Sequence, residues 1–353
     1  MRIGMSLSYS GGFAETVAEL ADHEKAGLDI VFVPEAYSFD AVSQLGFIAA
    51  RTERLEIASG ILPIYTRTPA LTAMTAAGLD YVSDGRFTLG IGASGPRVIE
   101  GFHGVPYTAP LGRTRELVEI CRMVWRREPL EYQGRHYRIP LPGTTRSGTG
   151  SGSGKPLKLI NHPVRGRIPI VIAAIGPQNV AMAAEIAEGW QPIFYLPERA
   201  AEVWGASLAA GRARRDPALG DLDVVAGAPL AITDDGHAVA GLLDAIRPML
   251  ALYIGGMGAR GRNFYHDLAC RYGFEAQAEV IADRYLAGDK NAAAAAVPDE
   301  LVRRSSLIGA AGYVRERLAV LRASGVTTLS VTPMAGSAAT RVRLIERIRD
   351  LAG

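Results

Sequence analysis

Short apolar runs alternate with helix-like stretches along the whole of this chain, and few architectures accept that order. Runs at residues 2–8, 29–33, 55–61, 86–91, 168–174, 189–190, 222–232 and 326–331 suit parallel strands buried on both faces. Between them apolar residues recur at helical spacing, as with Val17, Leu20 and Ala21, or with Leu117, Ile120, Cys121 and Val124. Eight such exchanges predict a closed (β/α)8 TIM barrel with its active site at the carboxyl ends of the strands. An open doubly wound sheet is the runner-up, but no GxGxxG opens the first helix. No Ser/Pro linker or long charge run divides the 353 residues, so a single domain over 1–353 is expected. A typical barrel takes about 250 residues. The surplus falls at 96–110, in a Gly/Ser-rich loop at 143–155 and in a helical insertion at about 256–306, all expected to wall in the carboxyl-terminal mouth.

Residues 55–95 organise the rest. A buried strand leads to Pro69, which fixes φ at a helix start at little cost, and the helix carries Leu71, Met74, Gly78 and Val82 along one side. A second strand ends in further glycine, and small residues at strand ends let a flat ligand approach the backbone. Asp40 is expected to cap the helix before this stretch. Residues 131–139 read as a hairpin outside the main sheet, and the Gly/Ser tract as a flexible spacer or a lid that orders over a ligand.

A net charge of +2 lacks the basic stripe of a nucleic-acid binder. No apolar run reaches the roughly 18 residues of a membrane span and the start around Arg2 has no signal-peptide core, so a cytoplasmic protein with no membrane partner is expected. Cys121 and Cys270 read as ordinary thiols. There is no HExxH, GxSxG, Walker loop or carboxylate cluster at metal-ligand spacing, which argues against a metal site and hydrolase-type nucleophiles. The strand-to-helix junction Ala173, Ala174, Ile175, Gly176 and Pro177 could hold a phosphate, because a helix start offers unpaired N–H groups and a favourable dipole.

The runs SGILPIYTRTPA, SDGRFTLGIGASGP, GFHG, AAIGPQNVAMAAEIAEGW, LYIGGMGARGRNF and VPDELV followed by SLIG together resemble the bacterial luciferase-like superfamily, specifically its coenzyme F420-dependent oxidoreductase branch. The resemblance implies hydride transfer between the deazaflavin and a small, apolar organic substrate. It further implies a non-proline cis peptide at Gly60-Ile61 behind the ring, contacts from Ser6, Gly92, Ala93 and Ser94, and a phosphate cradle at 173–177. FMN in a two-component monooxygenase is the alternative cofactor, and a non-catalytic flavin-binding barrel a further one; relatives suggest a homodimer. Where several relatives place a histidine after strand two and a glutamate after strand four, this chain has Glu35 and Ala93. Glu35 is therefore a candidate acid or base, or else an acceptor for a loop, and His103 is a second candidate. Tyr37, Phe39, Tyr65 and Phe102 could shape an apolar pocket. Lys155, Lys158, Arg165 and Arg167 could lie along the coenzyme's glutamate tail, and Arg67 could pair with an acid at the rim.

Overall fold

The computed structural model describes residues 1–8, 12–141 and 154–353. Eight parallel strands close into a barrel: β1 (Arg2–Ser6), β2 (Ile30–Val33), β3 (Glu56–Ser59, resumed at Leu62–Pro63), β4 (Phe87–Gly92), β5 (Ile170–Ala173), β6 (Gly189–Gln191), β7 (Asp223–Ile232) and β9 (Thr328–Pro333), which returns to β1. The eight sequence-predicted strands are these eight. A ninth, β8 (Leu307–Gly309), was not expected. Beyond β6, which pairs only with the first residues of β7, β8 takes up the far end of β7.

Helices return the chain from each strand's carboxyl end to the next strand's start: α1 (Phe13–Lys25), α2 (Ala41–Ala49), α3 (Pro69–Val82), α4 (Pro110–Trp125) and α5 (Pro177–Ile186) cover the first five strands. Pro69 opens α3 as expected, with Thr68 Oγ1 accepting the Leu71 N–H at 3.2 Å. Cys121 is fully buried on α4, and Cys121 and Cys270 are both free thiols. The hairpin forms between Tyr132–Gln133 and Arg138–Ile139, apart from the barrel sheet. Residues 263–286, within the expected helical insertion and read as one helix, break into Phe264–Arg271 and Glu275–Leu286 at Gly273, whose φ of 87° suits glycine alone. The Gly/Ser loop at 143–155, apart from its last two residues, and the glycine turn after β1 lie outside the described residues.

Leu71, Met74, Gly78 and Val82 do share one side of α3, but that side faces solvent; the buried side is Ala73, Ala76, Ala77 and Leu79. The exposed side, completed by Tyr81, carries no charged residue, and neighbouring α2 exposes Phe47, over whose ring the Arg51 guanidinium lies at 5.2 Å. The helical stretch Gly236–Gly256, interrupted by a turn at residues 245–246, is long and apolar enough, with mean hydropathy 1.4, to cross a membrane. It buries Leu243, Ile246, Leu250 and Ile254, and exposed Asp244 pairs at 2.8 Å with the largely covered Arg247, which also donates to the Val297 carbonyl.

Candidate functional site

Strand alternation decides what the barrel's mouth is made of. Ile30, Phe32, Ala58, Val171 and Val225 meet inside the barrel as a small cluster separate from the main core. Residues two further along the same strands therefore also point inward, above that plug. On β3 and β5 these are Gly60 and Ala173, and on β4 Gly92, paired with Ala173 and with an added Cβ 3.4 Å from the Ala173 Cβ, shares their face. Ser6 shares the inward face of β1 with Gly4, where an added Cβ would meet Phe32 at 2.9 Å. One rung crosses the floor through Pro63, Gly92, Ala173 and Gln191. On the far wall Gly227 is solvent-exposed although it faces the interior, so the cup reaches down between the strands. The predicted contacts Ser6, Gly60, Gly92 and Ala173 are thus brought together on one face, and their small side chains leave it flat.

Behind that face β3 bulges. The Gly60-Ile61 peptide is cis, as the resemblance implied, and separates the two parts of the strand. Across the bulge Ser59, fully buried, does the work of a strand: its Oγ accepts the Gly90 N–H at 2.9 Å and donates to the Gly90 carbonyl at 2.8 Å. This places the Ser59 carbonyl where a side chain on Gly90 would stand, 1.9 Å from an added Cβ. Just past β4, Ser94 adopts a left-handed φ of 57°, and its carbonyl accepts the Tyr107 hydroxyl at 3.3 Å. Strained backbone of this kind concentrates at functional sites.

At the end of β5, Ala174, Ile175 and Gly176 lead into α5. Gly176 is the helix cap and offers no side-chain acceptor, so the first N–H groups of α5, those after Pro177, have no side-chain partner among the described residues. An added Cβ at Gly176 would meet nothing within 4 Å. Around it the junction is held: the Ile175 carbonyl accepts Arg271 Nη2 at 2.7 Å, and the Ala174 carbonyl accepts Trp190 Nε1 at 2.8 Å. A helix start that is rigid, uncapped and open suits an anion.

Of the two readings of Glu35, the geometry favours the loop acceptor. Arg67 grips its carboxylate in a bidentate pair at 2.7 and 2.9 Å, and Glu35 Oε2 also accepts the Ala41 N–H at 2.9 Å. Glu35 thereby does the capping expected of Asp40, whose side chain makes no cap bond and turns to Arg67 instead. Burial works to lower the Arg67 pKa, but the hydrogen bonds and charges of Glu35 and Asp40 outweigh it and raise it. Both partners are largely buried, at 7% and 12% side-chain exposure. Removing one member of such a pair strands the other's charge and costs about 3–5 kcal/mol. Glu35→Ala and Arg67→Ala are each expected to lose that much stability in urea unfolding, and the double variant little more than either alone. A Glu35→Ala protein as stable as wild type would return the residue to acid–base duty.

His103 lies on the loop after β4, edge-on to Phe102 at 5.1 Å, and its buried Nε2 has no partner among the described residues. Phe102 also meets Tyr37 at 6.2 Å, and both are exposed, as is Phe39. Tyr65 is a brace instead: it is buried, and its hydroxyl donates to the Thr108 carbonyl at 2.9 Å. Opposite, Tyr253 packs edge-on to Phe194 and Tyr265 at 5.2 and 4.8 Å. Tyr253 rides on a π-helical turn, Leu252–Gly256, which Asn263 clamps through the Tyr253 and Ile254 carbonyls and Arg97 ties to the β4 loop through the Gly256 carbonyl.

The basic residues expected along a tail lie at the other end of the barrel. Arg165 pairs with buried Asp80 and the Phe87 carbonyl at the start of β4, and Arg167 with Glu188 at the start of β6. Lys155 and Lys158 are exposed on a segment whose Leu157 carbonyl accepts the Leu130 N–H, beyond the far end of α4. That segment feeds β5 from below, which keeps it away from the mouth. Ser59, Asn263 and Gln191 were not singled out from sequence. Gln191 had a signal: with Trp190 large and outward, Gly189 and Gln191 had to share the inner face.

Residues 1–328 match the family model described as luciferase-like monooxygenase. The chain is 42% identical over its full length, and over 98% of the other, to a Mycobacterium tuberculosis protein named by inference coenzyme F420-dependent oxidoreductase Rv3520c. It is 28% identical, over 86% of this chain and 85% of the other, to 5,10-methylenetetrahydromethanopterin reductase of Archaeoglobus fulgidus. Its fold superposes on that of the coenzyme F420 dependent tetrahydromethanopterin reductase of Methanopyrus kandleri with a TM-score of 0.77 at 22% identity, covering 98% of this chain and 97% of the other.

Proposed function

Because the chain belongs to the luciferase-like monooxygenase family, we propose that it is an oxidoreductase that holds coenzyme F420 in the barrel mouth and moves a hydride between the deazaflavin ring and a small apolar molecule. The observation that carries the reading is a flat floor of small residues ending at an uncapped helix start, a match for a planar ring with a phosphate on a short arm. The coenzyme, when bound, supplies the hydride chemistry. The chain's own residues position it. Gly92 and Ala173 leave the floor clear, the braced β3 bulge backs the ring, and the N–H groups at the start of α5 receive the phosphate. The exposed aromatics Tyr37 and Phe102, with Tyr253 opposite, offer the substrate an apolar slot and displace water from it.

One observation keeps FMN as a second reading: the cations expected along a glutamate tail are at the wrong end of the barrel. A non-catalytic flavin carrier fits less well, since Gly227 is open to solvent inside the cup and leaves room beside a ring. Fluorescence titration of the purified protein with each coenzyme, then anaerobic mixing with reduced F420 and a panel of ketones and enones, separates the three. Tighter binding of F420 and its substrate-dependent reoxidation are expected. Preference for FMN with peroxide release in air would overturn the reading in favour of the monooxygenase. We further propose a homodimer, formed through the exposed apolar face of α3 with Phe47 of α2 and the Arg51 guanidinium over its ring beside it.

A further inference from the structure

Gln191 is the one hydrogen-bonding side chain on the rung that crosses the cup floor, where its companions are Pro63, Gly92 and Ala173. Its neighbours on β6 fix its direction. Trp190 is fully buried outward against Trp204 and Tyr195, and a Cβ on Gly189 would meet the interior Val171 at 2.9 Å, so Gln191 faces the interior. There its Oε1 is buried and accepts no hydrogen bond among the described residues, although a buried polar atom is nearly always paired. Its main chain is fixed too: the Gln191 carbonyl accepts the Ala174 N–H at 3.3 Å, two residues before the cap of α5. The amide therefore stands at a set distance from the phosphate junction.

A carboxamide presents one acceptor and one donor side by side. On a planar ring the complement is an imide edge, in which an N–H lies between two carbonyls. We propose that Gln191 receives the imide edge of the ring cofactor, its Oε1 accepting the ring N–H and its Nε2 donating to an adjoining ring carbonyl. Turned over about its last torsion, the amide offers the same pair in reverse order, so the match survives either orientation. The edge is common to deazaflavins and flavins. Gln191 therefore selects for the imide without choosing between them, and it discriminates against rings that lack one.

This inference rests on the reading that a flavin-like ring occupies the cup, and its test keeps the two apart. Wild type, Gln191→Leu and Gln191→Met are titrated with four probes: 8-hydroxy-5-deazariboflavin, FMN, and the N3-methyl derivative of each. Binding is read from fluorescence and folding from circular dichroism. Wild type is expected to bind at least one parent ring about tenfold more tightly than its N3-methyl derivative, the worth of one good hydrogen bond. Both variants are expected to fold and to bind parent and methylated rings alike. The same preference in wild type and in either folded variant overturns the assignment, and so does a wild type that shows no preference. A wild type that binds none of the four overturns the cofactor reading along with it. The deazariboflavin and FMN arms show which ring the contact serves.

Discussion

Gly176→Asp should unfold at the wild-type temperature or slightly above it and yet bind the coenzyme about 100-fold more weakly. The position is the cap of α5 with φ −76° and ψ 146°, a conformation open to any residue, and an added Cβ meets no protein atom within 4 Å. Aspartate is among the best residues at a helix cap, and exchanging it with glycine there changes stability by only a few tenths of a kcal/mol. Its carboxylate would take up the N–H groups that are otherwise free for a phosphate and would set a like charge beside that phosphate. A hydrogen bond to a charged group is worth about 1.5–3 kcal/mol, and each 1.4 kcal/mol is a factor of ten in affinity, so the loss spans roughly 10- to 100-fold before repulsion is added. Thermal unfolding and a fluorescence titration of F420 give the two quantities on one sample. Gly176→Asn separates occupation from charge, since it caps equally well without the repulsion. Unchanged F420 affinity in the aspartate variant would mean that the phosphate sits elsewhere.

How much of this could be read before folding depends on whether the decisive partner is near in sequence. Barrel strands are wrapped on both faces, so β2 and β4 declare themselves as unbroken apolar runs, while β8 is three residues long and too short to show any period. The stripe of α3 was legible but its direction was not. Ala73, Ala76 and Ala77 face the core while Leu71 and Met74 face outward, the reverse of what side-chain size suggests, because α3 packs closely against α2 and α4. At the mouth, the small residues of β4 and β5 were found because barrel function is confined to strand ends. The pairing of Glu35 with Arg67 joins residues 32 positions apart, and that of Arg165 with Asp80 joins residues 85 apart. Charge alone could not tell which end of the barrel either pair would visit. Residue type was therefore a fair guide to the floor of the cup and a poor one to its ionic partners.

Two glycine-to-alanine exchanges, chemically identical, should move stability in opposite directions. At Gly90 the new methyl would lie 1.9 Å from the Ser59 carbonyl oxygen and 3.0 Å from its carbon. Real Cβ atoms do not come so close, and the obstacle is main chain held by the Ser59 Oγ bonds to both polar atoms of the Gly90 peptide. Either β3 or β4 must shift. Overpacking a tight core costs about 1–3 kcal/mol, and here the loss of two buried hydrogen bonds adds to it, so a total of about 3 kcal/mol or more is expected. At Gly46, inside α2, an added Cβ meets nothing within 4 Å, and the helix should gain about 0.5–1 kcal/mol from the better helix former. Urea unfolding of the two variants beside wild type reads both signs. Because the Ser59–Gly90 brace also backs the cup floor, the Gly90 variant should lose F420 affinity even in water, where most of it remains folded, while the Gly46 variant keeps it. Equal stability of Gly90→Ala and wild type would show that β3 and β4 do not approach as described, and the flat floor inferred from them would go with it.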